Sequence, residues 1–152
     1  MLRRPILHEA TTRAVIGAFY ESYNDLGFGF LEHIYVMALE RELRDLGHRV
    51  AREVWVPVRY KGVELARHRI DMLVDDCVLV ETKSTLDLHP AAKRQVYNYL
   101  AATRLEVGLL LHFGPEAKFH RIYRPAAWNS RAPTSDPADP SSPKNPTRTL
   151  RS

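Results

Sequence analysis

The chain has 152 residues, enough for one domain with a modest core. Hydrophobic residues make up 45% and charged residues 26%, the composition of a soluble globular protein. The formal charge is +4, and half of it belongs to residues 125–152, so the sequence pI of 9.4 permits nucleic-acid binding without arguing for it.

The single cysteine, Cys77, excludes an intrachain disulfide and reads as a small apolar filler. Arg3 and Arg4 are not followed by the apolar run of a signal peptide. No stretch approaches the ~20 apolar residues of a membrane span, so the expected compartment is the cytoplasm, with no membrane partner.

In chain order, residues 8–25 predict a helix, with Ala14, Val15, Ala18, Phe19 and Tyr23 at helical spacing. Asn24, Gly27 and Gly29 suit its end. Residues 30–46 predict a second helix with an apolar stripe of Leu31, Ile34, Tyr35, Ala38, Leu39 and Leu46, stopped by Gly47. Glu32 falls between Leu39 and Leu43 on the helical wheel, at the stripe's edge. Glu42 falls inside the stripe, so position alone leaves Glu32 open as an ordinary flank residue.

Val50 to Tyr60 alternates as a strand, and Pro57 marks a bend or a sheet edge. After the turn Lys61-Gly62, a strand begins at Val63 and leads into Asp71. Ile70, Met72, Leu73 and Val74, then Val78, Leu79 and Val80, are apolar on both faces, like central strands covered on two sides. Yet this segment holds Asp71, Glu81 and Lys83. Buried charges are costly unless paired or metal-bound. Glu81 and Lys83 are two apart and share one strand face. Two carboxylates and an ammonium there suit a hard divalent cation and an attacking water. A purely structural Glu–Lys pair is the alternative.

Pro90 opens a helix that runs to about Thr103, with Ala92, Gln95, Val96, Tyr99 and Ala102 on one face. Lys93, Arg94 and Tyr97 project elsewhere, and Lys93 and Arg94 offer weak nucleic-acid contact. Val107 to Phe113 is a compact apolar strand, and Phe119 to Tyr123 an edge strand. From Pro125 the composition shifts to Pro, Ser, Thr and Asp, with six of the ten prolines. Such a stretch cannot offset its chain entropy by burial, so a domain over 1–124 and a disordered tail over 125–152 are expected. Arg131, Lys144, Arg148 and Arg151 give the tail weak, salt-sensitive phosphate contact.

With Gly29-Phe30-Leu31-Glu32-His33-Ile34-Tyr35, Asp71, Glu81-Thr82-Lys83 and Gln95-x-x-x-Tyr99 together, the chain resembles the GxxExxY proteins, a branch of the PD-(D/E)xK nuclease-like superfamily. The resemblance covers roughly residues 8–124. It implies an α/β, restriction-endonuclease-like core: a mixed sheet of about five strands flanked by helices. It implies a Mg²⁺-dependent nuclease, with Mn²⁺ able to substitute, acting on DNA, with RNA left open. Carried over, Asp71, Glu81 and the Thr82 carbonyl ligate the metal, and Glu32 supports it. Lys83 handles the attacking water and the charge on the phosphate. Gln95 and Tyr99 position the site, and Tyr35 closes the first motif. Ile70 stands where the superfamily name has Pro, His89 where a Thr or Ser helix cap is expected, and His112 where relatives often have Asn. A module that keeps the fold without the chemistry, binding nucleic acid or a protein partner, is the alternative. A homo-oligomer is also open.

The chemistry constrains the register. A two-residue turn at Asp75-Asp76 puts Asp71 and Glu81 on opposite sheet faces. A three-residue loop of Asp75, Asp76 and Cys77 sets them directly opposite, with Cβ atoms roughly 4.5–5.5 Å apart. A bulge near Asp71 restores the common face as well. One of these two devices is therefore expected.

Overall fold

The computed structural model describes residues 7–124. The expected tail, residues 125–152, lies outside the described residues.

Helix α1 spans Glu9–Leu26 and helix α2 spans Glu32–Asp45. Gly27 closes α1 at φ 72°, its N–H donating to the Tyr23 carbonyl at 2.7 Å. Gly47, at φ 88°, closes α2 by paired bonds from Gly47 N–H to Arg44 O and from His48 N–H to Leu43 O. Glu32 in the first turn of α2 and Arg44 in the last both complement the helix dipole.

The strands are β1 (Val50–Tyr60), β2 (Val63–Val74), β3 (Val78–Lys83), β4 (Val107–Phe113) and β5 (Ala117–Tyr123). They form a five-stranded mixed sheet in the order β1-β2-β3-β4-β5, antiparallel except for the parallel β3–β4 pair. Helix α3, Ala92–Ala102, makes the crossover that a parallel pair requires. Pro57 lies in the edge strand β1, where a missing N–H is tolerated. Lys61 and Gly62 both have positive φ, 48° and 79°, as a tight two-residue hairpin turn demands. Among the described residues, no helix is long and apolar enough to cross a membrane.

Two apolar clusters cover the two faces of the sheet. Val15, Phe19, Tyr35 and Leu39 of α1 and α2 pack on Met72, Val74, Val78, Val80, Leu109 and Phe113. On the other face Ala92, Val96 and Leu100 of α3 pack on Val54, Val56, Ile70, Leu73, Leu79 and Leu110. Gly108 permits that contact: a Cβ there would stand 2.7 Å from Val96 Cγ1.

Several boundaries differ from expectation. Leu31 and Leu46 are 71% and 64% exposed, because they flank α2 rather than belong to it. The buried stripe of α2 is Tyr35, Val36, Leu39 and Leu43, with Glu32 one turn before Val36 on the same line. Helix α3 begins at Ala92 because His89 shapes the entry: its carbonyl accepts from Ala92 N–H and its Nδ1 from Ala91 N–H. His89 thus does at this helix start what a Thr or Ser would do.

Candidate active site

The β2–β3 connection is the three-residue loop. Val74 pairs with Val78, Leu73 with Leu79 and Met72 with Val80, leaving Asp75, Asp76 and Cys77 between the strands. Asp75 and Asp76 both have positive φ, 52° and 57°. Bonds from Thr11 Oγ1, His48 Nδ1 and Arg49 N–H to the Asp75 carboxylate hold this strained turn in place. Burial raises the Asp75 pKa, but these bonds outweigh it and the net shift is down.

One step beyond Met72 and Val80, the regular ladder stops and two carboxylates take over. Asp71 N–H donates to Glu81 Oε1 at 2.9 Å. Thr82 N–H and Thr82 Oγ1 both donate to Asp71 Oδ2 at 2.8 Å. Side-chain oxygens here replace the backbone acceptors of an ordinary antiparallel pair. The sheet also turns over at this point. Val50 faces the first cluster but Val54 and Val56 the second, and Met72 faces the first but Ile70 the second. The side-chain alternation slips on both strands together, at Glu53, whose φ is 54°, and at Asp71; the Cα register stays the same on either side, and the register itself shifts only between Val58 and Arg59. Asp71 therefore sits at a twist in β2, beside the loop that sets it opposite Glu81.

Glu81 is buried, 6% exposed, and its pKa is pushed up to about 8 by burial and then by the Asp71 charge. The Asp71 N–H and Lys83 pull the other way without prevailing, and Glu32 adds to the rise. Glu32 is itself raised, first by burial and then by Asp71, and is lowered by Lys83 and by the Ser84 backbone. Glu32, Asp71, Glu81 and Lys83 thus occupy one electrostatic neighbourhood.

The first motif has a mechanical explanation. Tyr35 is fully buried, stacked on Phe113 at 4.0 Å between ring centroids. Its hydroxyl donates to the Gly27 carbonyl and accepts from Phe30 N–H at 3.2 Å. Gly29, at φ 110°, lets the chain bend between those anchors. Ser84 Oγ then donates to the Phe30 carbonyl at 2.5 Å, tying the loop before Glu32 to the end of the strand that carries Lys83. Glycine, glutamate and tyrosine at this spacing fix where Glu32 enters the site.

A cleft of about 390 Å³ opens beside these residues, lined by Glu32, Val36, Arg52, Arg69 and Asp71 among others. Tyr99 reaches the site from α3, and burial followed by Glu81 and Asp71 raises its pKa to about 12. It stacks on His68 at 4.1 Å. His68 is lowered by burial and Lys83, against the pull of Asp71. His68, Arg52, Arg69 and Ser84 were not singled out from sequence. His68 had one readable signal: its place two residues before Ile70 on a strand that alternates.

Gln95 is exposed on α3, one turn before Tyr99 and beside the buried line of Ala92, Val96 and Leu100. Lys93 and Arg94 are exposed too, and Arg94 lies over the Tyr97 ring at 4.6 Å. A larger cavity of about 530 Å³, lined by His89, Lys93, His112, Lys118 and His120, touches neither carboxylate. His112 is buried there, with Nε2 2.9 Å from the Thr85 carbonyl.

Among the described residues, no three His, Cys, Asp or Glu side chains converge as a ready-made metal centre. The donor set still suits a hard cation. Asp71 Oδ1 and Glu81 Oε2 are left over after the bonds just described, and both are carboxylate oxygens.

A model described as the PD-(D/E)XK nuclease superfamily matches residues 9–124. The chain belongs to the PD-(D/E)XK nuclease superfamily. Its mixed sheet with three helices is the fold expected of such a chain. A solved structure titled "Crystal structure of SSO0001" is similar to this PD-(D/E)XK chain with a TM-score of 0.49 and 19% identity. The match covers 65% of this chain and 53% of that one, so it spans about half the length of that protein. No curated protein matches the sequence.

Proposed function

We propose that this PD-(D/E)XK chain is a metal-dependent nuclease that hydrolyses phosphodiester bonds in DNA, within the GxxExxY branch. One observation carries the reading: two facing carboxylates, Asp71 and Glu81, end the β2–β3 ladder in a largely buried position, with Lys83 two residues on. Carboxylates this close repel one another, and a dication relieves that repulsion.

Asp71, Glu81 and the Thr82 carbonyl would hold Mg²⁺ or Mn²⁺, with Glu32 in support. The ion, when bound, supplies charge neutralisation at the phosphate and a water acidic enough to attack near neutral pH. The chain's own groups do the rest. Lys83 orients the water and offsets charge developing on the phosphate. The Thr82 amide and hydroxyl hold the Asp71 carboxylate in one orientation. Tyr35 and Ser84 position Glu32 through the loop at Phe30. Tyr99 and His68 wall the site on the α3 side. Gln95, one turn before Tyr99, helps position the site, and exposed Lys93 and Arg94 contact the nucleic acid. We assign the catalytic domain to residues 1–124 and the cytoplasm as the compartment.

The test is cleavage of plasmid and linear DNA by purified protein with Mg²⁺ or Mn²⁺, beside Glu81→Ala and a chelated control. Cleavage that needs both the metal and Glu81 is the expected result. A second reading has its own support: Asp71 and Glu81 already bond to neighbouring backbone amides, as structural carboxylates would. No cleavage of DNA, RNA or single strands in any lane favours that reading, a module that binds without cutting.

A further inference from the structure

The β1–β2 hairpin runs well past the rest of the sheet. Strand β3 pairs with β2 only at residues 72–74, whereas β1 pairs with β2 out to Tyr60 and Val63. Residues 58–67 are exposed without interruption. Three of them lie on β1, two in the turn and five on β2, so at about 3.3 Å per residue the exposed arm is roughly 10–15 Å long.

The arm is basic. Residues 55–69 hold Arg59, Lys61, Arg67 and Arg69 against the single carboxylate Glu64. Directly paired residues share a sheet face. Trp55 pairs with Arg69 and Pro57 with Arg67, so these four lie on the face opposite buried Val54, Val56 and Ile70. Arg69 stands over the Trp55 ring at 5.7 Å and also lines the cleft that holds Glu32 and Asp71. Arg52 lines the same cleft. One basic track therefore runs from the carboxylates, through Arg52 and Arg69, past Trp55 and Arg67, to Arg59 and Lys61 at the tip. Part of its charge is engaged within the chain: half-buried Arg52 pairs with Glu40 at 3.2 Å, and on the arm Arg67 pairs with Glu64 at 3.0 Å and Arg69 with Glu53 at 3.8 Å. The exposed arm pairs are weak and give way readily to a phosphate.

We infer that this hairpin arm is a DNA-binding element that lies in the major groove of a duplex and directs its backbone toward the Asp71–Glu81 site. A two-stranded ribbon fits the roughly 12 Å major groove. The charge complements phosphate, and the track is continuous with the cleft. The inference rests on the nuclease reading for its choice of ligand.

The experiment uses the full chain without metal, so that binding is read and cleavage is not. A fluorescently labelled duplex is titrated at several salt concentrations with wild type, with Arg59→Gln/Lys61→Gln and with Arg13→Gln/Arg41→Gln. The last variant removes the same charge from exposed positions on α1 and α2. Each phosphate contact contributes about 0.9 to the slope of log K against log salt. The arm variant is expected to lose at least about tenfold in affinity at moderate salt and nearly two in slope, with the control close to wild type. Unchanged melting temperatures show that both variants fold.

Equal weakening in the two variants would overturn the arm as a specific element. So would no weakening in the arm variant, a change only in its oligomeric state, or a wild type that does not bind duplex DNA. The two readings fail separately. Glu81-dependent cleavage with unaltered binding by the arm variant keeps the nuclease and removes the arm. Arm-dependent binding without cleavage by wild type keeps the arm and removes the nuclease.

Discussion

The amide of Asp71 donates to the Glu81 carboxylate at 2.9 Å, where a regular ladder would offer a backbone carbonyl. The bond holds Glu81 beside the Asp71 charge instead of letting it turn away. It makes the protonation of Glu81 a property of the fold.

A pH dependence follows. Glu81 has a folded pKa of about 8 against an ordinary 4.5, raised by burial and then by Asp71. The folded state holds the proton longer, so stability is fully present below about 4.5 and is lost as pH rises toward 8. Thermal melts in chelator are expected to fall across that window, and Glu81→Gln to flatten the fall. Mg²⁺ is expected to restore most of the loss at pH 8 in wild type but not in Glu81→Gln. A pH profile that is identical in the two proteins would contradict this account.

Asp71 provides a separate check. Calorimetric titration with Mg²⁺ is expected to show binding to wild type and at least tenfold weakening in Asp71→Asn, since one charged oxygen donor is lost. Equal affinities would remove Asp71 from the metal set. Asparagine can still accept from Thr82, so melting temperature is expected to change little.

Tyr35→Phe keeps the ring stacked on Phe113 and removes only the hydroxyl that joins Gly27 to Phe30. The loss of stability is expected to be about 1–2 kcal/mol. Cleavage is expected to fall further than stability alone explains, because the loop then places Glu32 less firmly. Full activity under conditions where the variant is folded would show that Glu32 needs no such anchor.

Gly108→Ala tests the packing of α3. The added carbon meets Val96 Cγ1 at 2.7 Å in a buried contact, so the helix must shift or Val96 must turn. A destabilisation of about 1–3 kcal/mol is expected from denaturant unfolding. Gly17→Ala, with open space around it, is the matched control and is expected to be neutral or slightly stabilising.

Much of this was legible in the sequence because periodicity and punctuation agree. Strand β1 runs from Val50 to Tyr60 and strand β4 from Val107 to Phe113, as their apolar patterns require. The loop at Asp75 was accessible to argument because only certain registers put Asp71 opposite Glu81. The slip in side-chain alternation at Glu53 and Asp71 was not legible. A glutamate with positive φ is unusual, and no turn residue announces it. Gln95 was placed by motif alone, one turn before Tyr99 on α3. Leu31 and Leu46 misled for a simpler reason: an apolar residue next to a helix end extends the pattern without extending the buried face. The hairpin arm was invisible as an arm, since nothing in residues 58–67 says that the neighbouring strand stops short.

The Ser84–Phe30 bond bridges 54 positions of sequence, whereas Asp71 and Glu81 are only 10 apart. Short loops close at lower entropic cost than long ones. The carboxylate pair can therefore come together as soon as one hairpin zips up. Glu32 must wait until the N-terminal helices dock and the distant ends meet. Joining Glu32 to the pair therefore carries the larger loop-closure cost. The candidate site is therefore whole only when both N-terminal helices are docked on the sheet.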